Sequence, residues 1–253
     1  MKSLYLFGLA AATSIASSAA AGLMPGDMVT MYRVGVSPGR AIEYNYDSNR
    51  AFDGMVSGQS SFALAGVNNF STHAGGGGAW QTFCVEMNEG FPDDPITYEV
   101  VEISEVPEHM PPGNMTVAKQ ELMRDLYARH YDSVINGSAG DFLDQSDRAA
   151  AFQLVVWEIS HENLTSETNG LAVIGELNIS EGAMAFTNTF SSAVADMANE
   201  MIASLGEGGN LRGFSSLFGL SNASNQDMLI VVPSPAVIGL AGLGLVGLRR
   251  RRR

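Results

Sequence analysis

Cysteine and basic residues are scarce in this sequence. Cys84 is the only cysteine among 253 residues, so an intramolecular disulfide is excluded and a cysteine-based metal centre is unsupported. The four histidines show no ligand spacing, and we predict neither a metal site nor a cofactor. Lys and Arg number 14 against 27 Asp and Glu, a net charge of −13. Because such an acidic chain repels phosphate backbones, nucleic acid is not a predicted partner.

The first 21 residues have the three parts of a secretion signal. Met1-Lys2 gives a charged start, residues 4–12 are apolar, and Ala19-Ala20-Ala21 is a small-residue cleavage site. The alternative, a first core helix, is disfavoured because the apolar run is short and Gly22 breaks its pattern. We therefore expect export, with cleavage after Ala21.

The last 21 residues join a Pro-Ser-Pro motif (233–235), an apolar segment (236–248) and five arginines, Arg249 to Arg253. The apolar segment would span about 20 Å as a helix, which is short of the ~30 Å hydrocarbon core unless flanking residues are drawn in. The arginines would stop translocation and stay cytoplasmic. Five consecutive charges also argue against a buried core helix.

This tail resembles the PEP-CTERM sorting signal of Gram-negative envelope proteins, with Pro-Ser-Pro in place of the usual Pro-Glu-Pro. The resemblance implies an exosortase-type processing enzyme as a partner and a membrane contact through the tail. It also implies a location at the cell envelope, the cell surface or the extracellular matrix.

Residues 22–232 are expected to form one acidic globular domain. Eight basic and all 27 acidic residues lie in this range, which gives it a net charge of −19. Strand patterns dominate residues 27–103, where Ser37-Pro38-Gly39 separates two β-rich runs and Trp80 begins a further strand candidate. Residues 115–205 favour about three helices, the third over about 183–205 with Phe190 on its apolar face, and residues 227–232 favour a last strand. This order predicts an α+β fold, with a β-rich sandwich or barrel-like core and an inserted helical subdomain.

The helix predicted to begin near Asp144 or Ser146 and to end near His161 carries an unusual polar residue. One face of this helix is an apolar stripe at core spacing, formed by Ala149, Phe152, Val156 and Ile159. Gln153 and Trp157 form an i, i+4 pair beside this apolar stripe. A glutamine so placed needs partners for its amide, and a satisfied glutamine at the core edge is the simplest interpretation. Cys84 has an equally simple interpretation as a small buried hydrophobe.

Two motifs taken together suggest more. Phe83-Cys84-Val85-Glu86 and Phe152-Gln153-Leu154-Val155-Val156-Trp157-Glu158 resemble the paired signature of bacterial Cys-Gln thioester domains. The resemblance covers most of residues 27–232. It implies that Cys84 and Gln153 form an internal thioester, covered by Phe83, Phe152 and Trp157, that attaches the protein covalently to amine-bearing targets. Glu86 and Glu158 match positions of the motifs, but no role follows for them.

The sequence is therefore compatible with three functions. The first is covalent adhesion through the thioester, a single-turnover reaction rather than enzyme catalysis. The second is an anchored structural or extracellular-matrix protein in which Cys84 and Gln153 only pack. The third, a cysteine hydrolase, would need a histidine base at Cys84. His161 lies two helical turns beyond Gln153, and its position favours a role at the helix end.

Overall fold

The computed structural model describes most of the predicted globular domain. The described residues are 22–46, 60–75, 80–87, 89–90, 95–109, 113–137 and 142–232. The predicted signal (1–21) and the predicted sorting tail (233–253) lie outside them. Within the described ranges, every helix is too short or too polar to span a bilayer.

Described residues form seven strands and four helices. The strands are β1 (Met28–Tyr46), β2 (Ser60–Ser71), β3 (Trp80–Cys84), β4 (Ile96–Val101), β5 (Met184–Asn188), β6 (Leu217–Ser221) and β7 (Met228–Val231). The helices are α1 (Val117–Ile135), α2 (Phe142–His161), α3 (Gly170–Val173) and α4 (Ser192–Ser204). The predicted α+β fold is confirmed.

The strands form one antiparallel sheet that closes on itself through β1. Residues 28–31 of this long strand pair with β4, whereas residues 32–45 pair with β2. With the sheet order β2-β3-β7-β6-β4-β1-β5, these pairings close six strands into a ring, and β5 pairs beyond it with the end of β1. The register of β1 against β2 shifts twice between Arg33 and Gly39. Such bulges bend a strand and allow it to pass from one neighbour to the other. The core is therefore barrel-like.

Alternating side chains direct the strands around this core. In β1, Val29, Met31, Ile42 and Tyr44 are buried, and the residues between them are more exposed. In β4, Ile96, Tyr98 and Val100 point inward in the same way. This period of two is the pattern expected when one face of a sheet is buried.

Helix α2 is the central helix of the fold. It packs against β1, β2, β3, α1 and α4. All of its residues from Ala149 to His161 are buried, including Gln153 and Trp157, which were predicted beside the apolar stripe. Three consecutive alanines, 149–151, let its neighbours approach closely. The apolar stripe found in the sequence is thus only part of a helix that is enclosed on all sides.

Two predicted boundaries differ from the structure. The predicted turn at Ser37-Pro38-Gly39 is a bulged part of the continuous strand β1. The predicted third helix over 183–205 is divided, since residues 184–188 form β5 and α4 begins only at Ser192. Phe190, predicted on the helix face, has φ of 51° and is 59% exposed, so it belongs to the connection.

Candidate functional site

Cys84 is the last residue of β3 and lies where the pairing of this strand with β2 has ended. The last β2–β3 pair joins Asn68 to Thr82. On the other side β3 continues along β7, with Cys84 opposite Met228 and the Val85 N–H bonded to the Asp227 carbonyl at 3.1 Å. Because backbone groups of successive residues face opposite edges of a strand, the N–H and C=O of Cys84 face the side that β2 has left.

The Gln153 side chain fills this missing strand position. Its Oε1 accepts a hydrogen bond from the Cys84 N–H at 3.0 Å, and its Nε2 donates to the Cys84 carbonyl at 2.8 Å. Gln153 is 0% exposed and Cys84 4%. The carboxamide therefore continues the ladder of β3 and holds α2 against the residue that carries the sulfur, across 69 positions of sequence.

The sulfur itself is bound by two other amides. Asn68 Nδ2 donates to Cys84 Sγ at 3.1 Å, and the thiol donates to Gln226 Oε1 at 3.0 Å. Two further hydrogen bonds orient Gln226. Its side-chain Nε2 donates to the backbone carbonyl of Glu86, and its backbone carbonyl accepts from Tyr98 Oη at 3.3 Å. Burial raises the pKa of the Cys84 thiol, and the Asn68 hydrogen bond only partly opposes this. The group is thus a neutral thiol with a fixed hydrogen direction.

Aromatic side chains pack the two motifs together. The rings of Phe83 and Phe152 are 4.6 Å apart between centroids, and both lie edge-on to Tyr127 of α1, at 6.3 and 5.0 Å. Trp157 stacks on Phe186 of β5 at 6.3 Å. Phe83, Phe152 and Trp157, the three predicted cover residues, are at most 2% exposed. Phe83 and Phe152 join β3 to α2, and Trp157 lines a pocket that also reaches Cys84.

A pocket of about 200 Å³ opens beside the sulfur. Asn68, Cys84, Trp157 and Gln226 form its inner wall, whereas Phe62 and Leu64, which are 69% and 49% exposed, lie at its outer part. Gln153 is not among the lining residues. A small group could reach Cys84 by this route without the barrel opening.

Buried carboxyl groups surround the site. Glu86 Oε1 accepts from the Asp227 N–H at 2.7 Å, and burial raises the pKa of Glu86 to about 8 and that of Asp227 to about 6. Burial also raises the pKa of Glu158 to about 8, although the Asn178 N–H donates to it at 2.7 Å. Glu86 therefore positions the β7 segment next to Gln226, and Glu158 holds the segment before β5.

The histidines do not supply a base for Cys84. Among the residues that the structure describes, the side chains that hydrogen-bond the sulfur are the amides of Asn68 and Gln226. The imidazole of His161 lies in the last turn of α2, with Nδ1 2.9 Å from the Trp157 carbonyl, and burial lowers its pKa to about 3. It is a neutral donor at the helix end rather than a charge interacting with the dipole. Among the described residues no group of three or more His, Cys, Asp or Glu could hold a metal ion.

Sequence reasoning missed Asn68 and Gln226. Two asparagines, Asn68 and Asn69, stand between Val67 and Phe70, and the strand period places Asn68 on the same face as the buried Phe70, which was the available signal. Gln226 lies in the turn before β7 and has no comparable signal, because only the fold brings it to Cys84.

In comparisons with known proteins, no family model, no curated protein and no solved structure matched this chain. Its function is therefore inferred from the geometry of the site and from the two motifs that meet there.

Proposed function

We propose that this chain is an exported, envelope-anchored surface protein in which Cys84 and Gln153 form an internal thioester for covalent attachment to amine-bearing targets. The observation that carries the proposal is the pair of hydrogen bonds, 3.0 and 2.8 Å long, between the Gln153 carboxamide and the Cys84 backbone. It places the only thiol of the chain and the motif glutamine at one buried point.

The proposed reaction needs no external reagent. Cys84 Sγ attacks the Gln153 carbonyl carbon, the C–N bond breaks, and the thiol proton leaves with the nitrogen as ammonia. The departing nitrogen is the one that donates to the Cys84 carbonyl, so formation of the bond breaks one of the two hydrogen bonds. Burial of both residues supports the proposal further, because exclusion of water protects a thioester from hydrolysis.

Two alternatives use the same site differently. A glutamine that only packs would make the same two hydrogen bonds, since they satisfy a buried amide and two backbone groups. A cysteine hydrolase is less well supported, because the sulfur is bound by Asn68 and Gln226 and not by an imidazole. The carboxamide of Gln226, whose Oε1 lies 3.0 Å from the sulfur, is a second group from which the thiol could be acylated. An experiment must therefore distinguish Gln226 from Gln153 as the acyl donor.

Intact mass and peptide mapping test the proposal. Protein purified without amines should be lighter by one ammonia than its sequence, and methylamine should restore the thiol and add to Gln153. Because burial alone shields Cys84, alkylation has to be measured immediately after unfolding at neutral pH. Cys84→Ala and Gln153→Ala should both have full mass and take up no methylamine.

Gln226→Ala is the matched control for the choice of glutamine. It should still lose one ammonia, and methylamine should still map to Gln153. Methylamine found on Gln226 of the wild-type protein would mean that Gln226, and not Gln153, supplies the acyl group. A wild-type protein of full mass, whose Cys84 alkylates at once on unfolding, would remove the covalent proposal and leave the packing function.

Localisation belongs to the same proposal. The Ala19-Ala20-Ala21 site supports export, and the tail from Pro233 to Arg253 supports retention at the envelope after processing by an exosortase-type enzyme. The acidic domain between them, with a net charge of −19, favours a soluble extracellular module over a nucleic-acid partner.

A further inference from the structure

We infer that the pocket beside Cys84 is a recognition subsite for a primary amine, with Asn68 and Glu89 as the residues that bind the attacking nitrogen. This inference rests on the proposed thioester and goes beyond it, because it assigns the amine-binding groups of this chain.

The first observation is a set of polar atoms without partners around one pocket. Among the described residues, Asn68 Oδ1, Glu89 Oε2 and Trp157 Nε1 are buried and accept or donate no hydrogen bond. All three residues line the pocket that reaches Cys84, and Asn68 and Trp157 are each only 2% exposed. Because a buried polar atom without a partner destabilises the fold, three such atoms around one cavity point to a polar ligand.

The second observation fixes which atom of Asn68 faces the ligand. The Glu86 carbonyl can only accept, so Gln226 must present Nε2 to it and Oε1 to the sulfur. The thiol hydrogen is thereby directed to Gln226, and the sulfur is left as an acceptor for Asn68 Nδ2 at 3.1 Å. The other atom of that amide, Oδ1, therefore remains for the pocket.

These atoms match an amine and the acyl group that it attacks. A primary amine carries N–H groups that can donate to Asn68 Oδ1 and Glu89 Oε2, the two acceptors without a partner. Trp157 Nε1 is a donor in the same pocket, and the Gln153 oxygen that gains charge during attack already accepts from the Cys84 N–H at 3.0 Å. The loop of Glu89 is tied to the site, because the Gly90 carbonyl accepts from the Gln226 N–H at 3.4 Å.

The amine nitrogen bonds to the Gln153 carbonyl carbon, the C–S bond breaks, and its electron pair moves to Cys84 Sγ. Asn68 Nδ2 stabilises the departing thiolate. The extra proton on nitrogen passes to the Glu89 carboxylate and then to the sulfur, which leaves an amide at Gln153 and a free thiol at Cys84.

Two nucleophiles separate amine recognition from a general structural role. The attacking nitrogen of methylamine has N–H groups to bind and a proton to lose, whereas 2-mercaptoethanol attacks through a thiolate sulfur that carries no hydrogen. In Glu89→Gln the thioester should still form, measured as the missing ammonia. Its reaction with methylamine should slow about tenfold or more, and its reaction with 2-mercaptoethanol should be unchanged or faster.

Asn68→Ala should slow both nucleophiles, since both expel the Cys84 thiolate. Glu200→Gln removes the same charge from an exposed position of α4 outside the pocket and should leave both rates at the wild-type value. Three results for Glu89→Gln would each overturn the inference: both reactions slow equally, the methylamine rate is unchanged, or the protein has its full sequence mass. A wild-type protein without a missing ammonia would instead remove the proposed function on which it rests.

Discussion

The hydrogen-bond pair between Gln153 and Cys84 can be measured apart from any covalent bond. Cys84→Ala removes the sulfur but keeps the backbone N–H and C=O of residue 84, so the carboxamide can still bind them. Adding Gln153→Ala to this variant leaves both backbone groups buried and unpaired. At about 1–3 kcal/mol for each unpaired group, we expect the second substitution to lower the free energy of unfolding by about 2–6 kcal/mol.

Urea denaturation followed by far-ultraviolet circular dichroism measures this difference. Gln145→Ala in the Cys84→Ala background is the matched control, because it makes the same change on the same helix at a partly exposed position. It should cost no more than about 0.5 kcal/mol. If Gln153→Ala costs no more than this control, the carboxamide does not hold α2 to β3, and the positional argument for the thioester is refuted.

Three further outcomes are expected. Burial raises the pKa of Glu158 to about 8 from an ordinary 4.5, so the folded state holds this proton more tightly than the unfolded state does. The free energy of unfolding should therefore fall as pH rises from about 4.5 to 8. Urea titrations at several pH values should show a flatter slope for Glu158→Gln. Truncation after Val232 should release a folded protein into the medium, and a truncated protein that unfolds would place the tail in the core. Amino-terminal sequencing of envelope-derived protein should begin at Gly22, and a retained Met1 would contradict export.

Local patterns were sufficient to predict the class of fold and the two motif segments. The predicted helix ending near His161 and the strand beginning at Trp80 are present, because apolar residues repeat there with helix and strand periods. The division of the third helix was missed. Met184 and Phe186 are buried two residues apart in β5, a strand spacing that is too short to outweigh the helical pattern around it.

The contacts of the site depend on closure of the barrel. Whether Gln153 meets Cys84 is decided by where the β2–β3 pairing ends, which no local pattern reports. Asn68 reaches the sulfur through its register opposite Thr82, and Gln226 reaches it through the turn that precedes β7. These residues are separated from Cys84 by 16 and 142 positions, so only the tertiary structure assigns them to the site.

The position of β7 has a mechanical consequence for an anchored protein. β7 ends at Val231, two residues before the predicted tail, and is hydrogen-bonded to β3 on one side and to β6 on the other. A pull from the tail therefore acts along β7 and loads both ladders in shear, so that many hydrogen bonds resist together instead of opening one by one. A target joined to Gln153 would pull from α2, on the far side of β3. Tension between a captured surface and the membrane would thus cross the barrel through its paired strands.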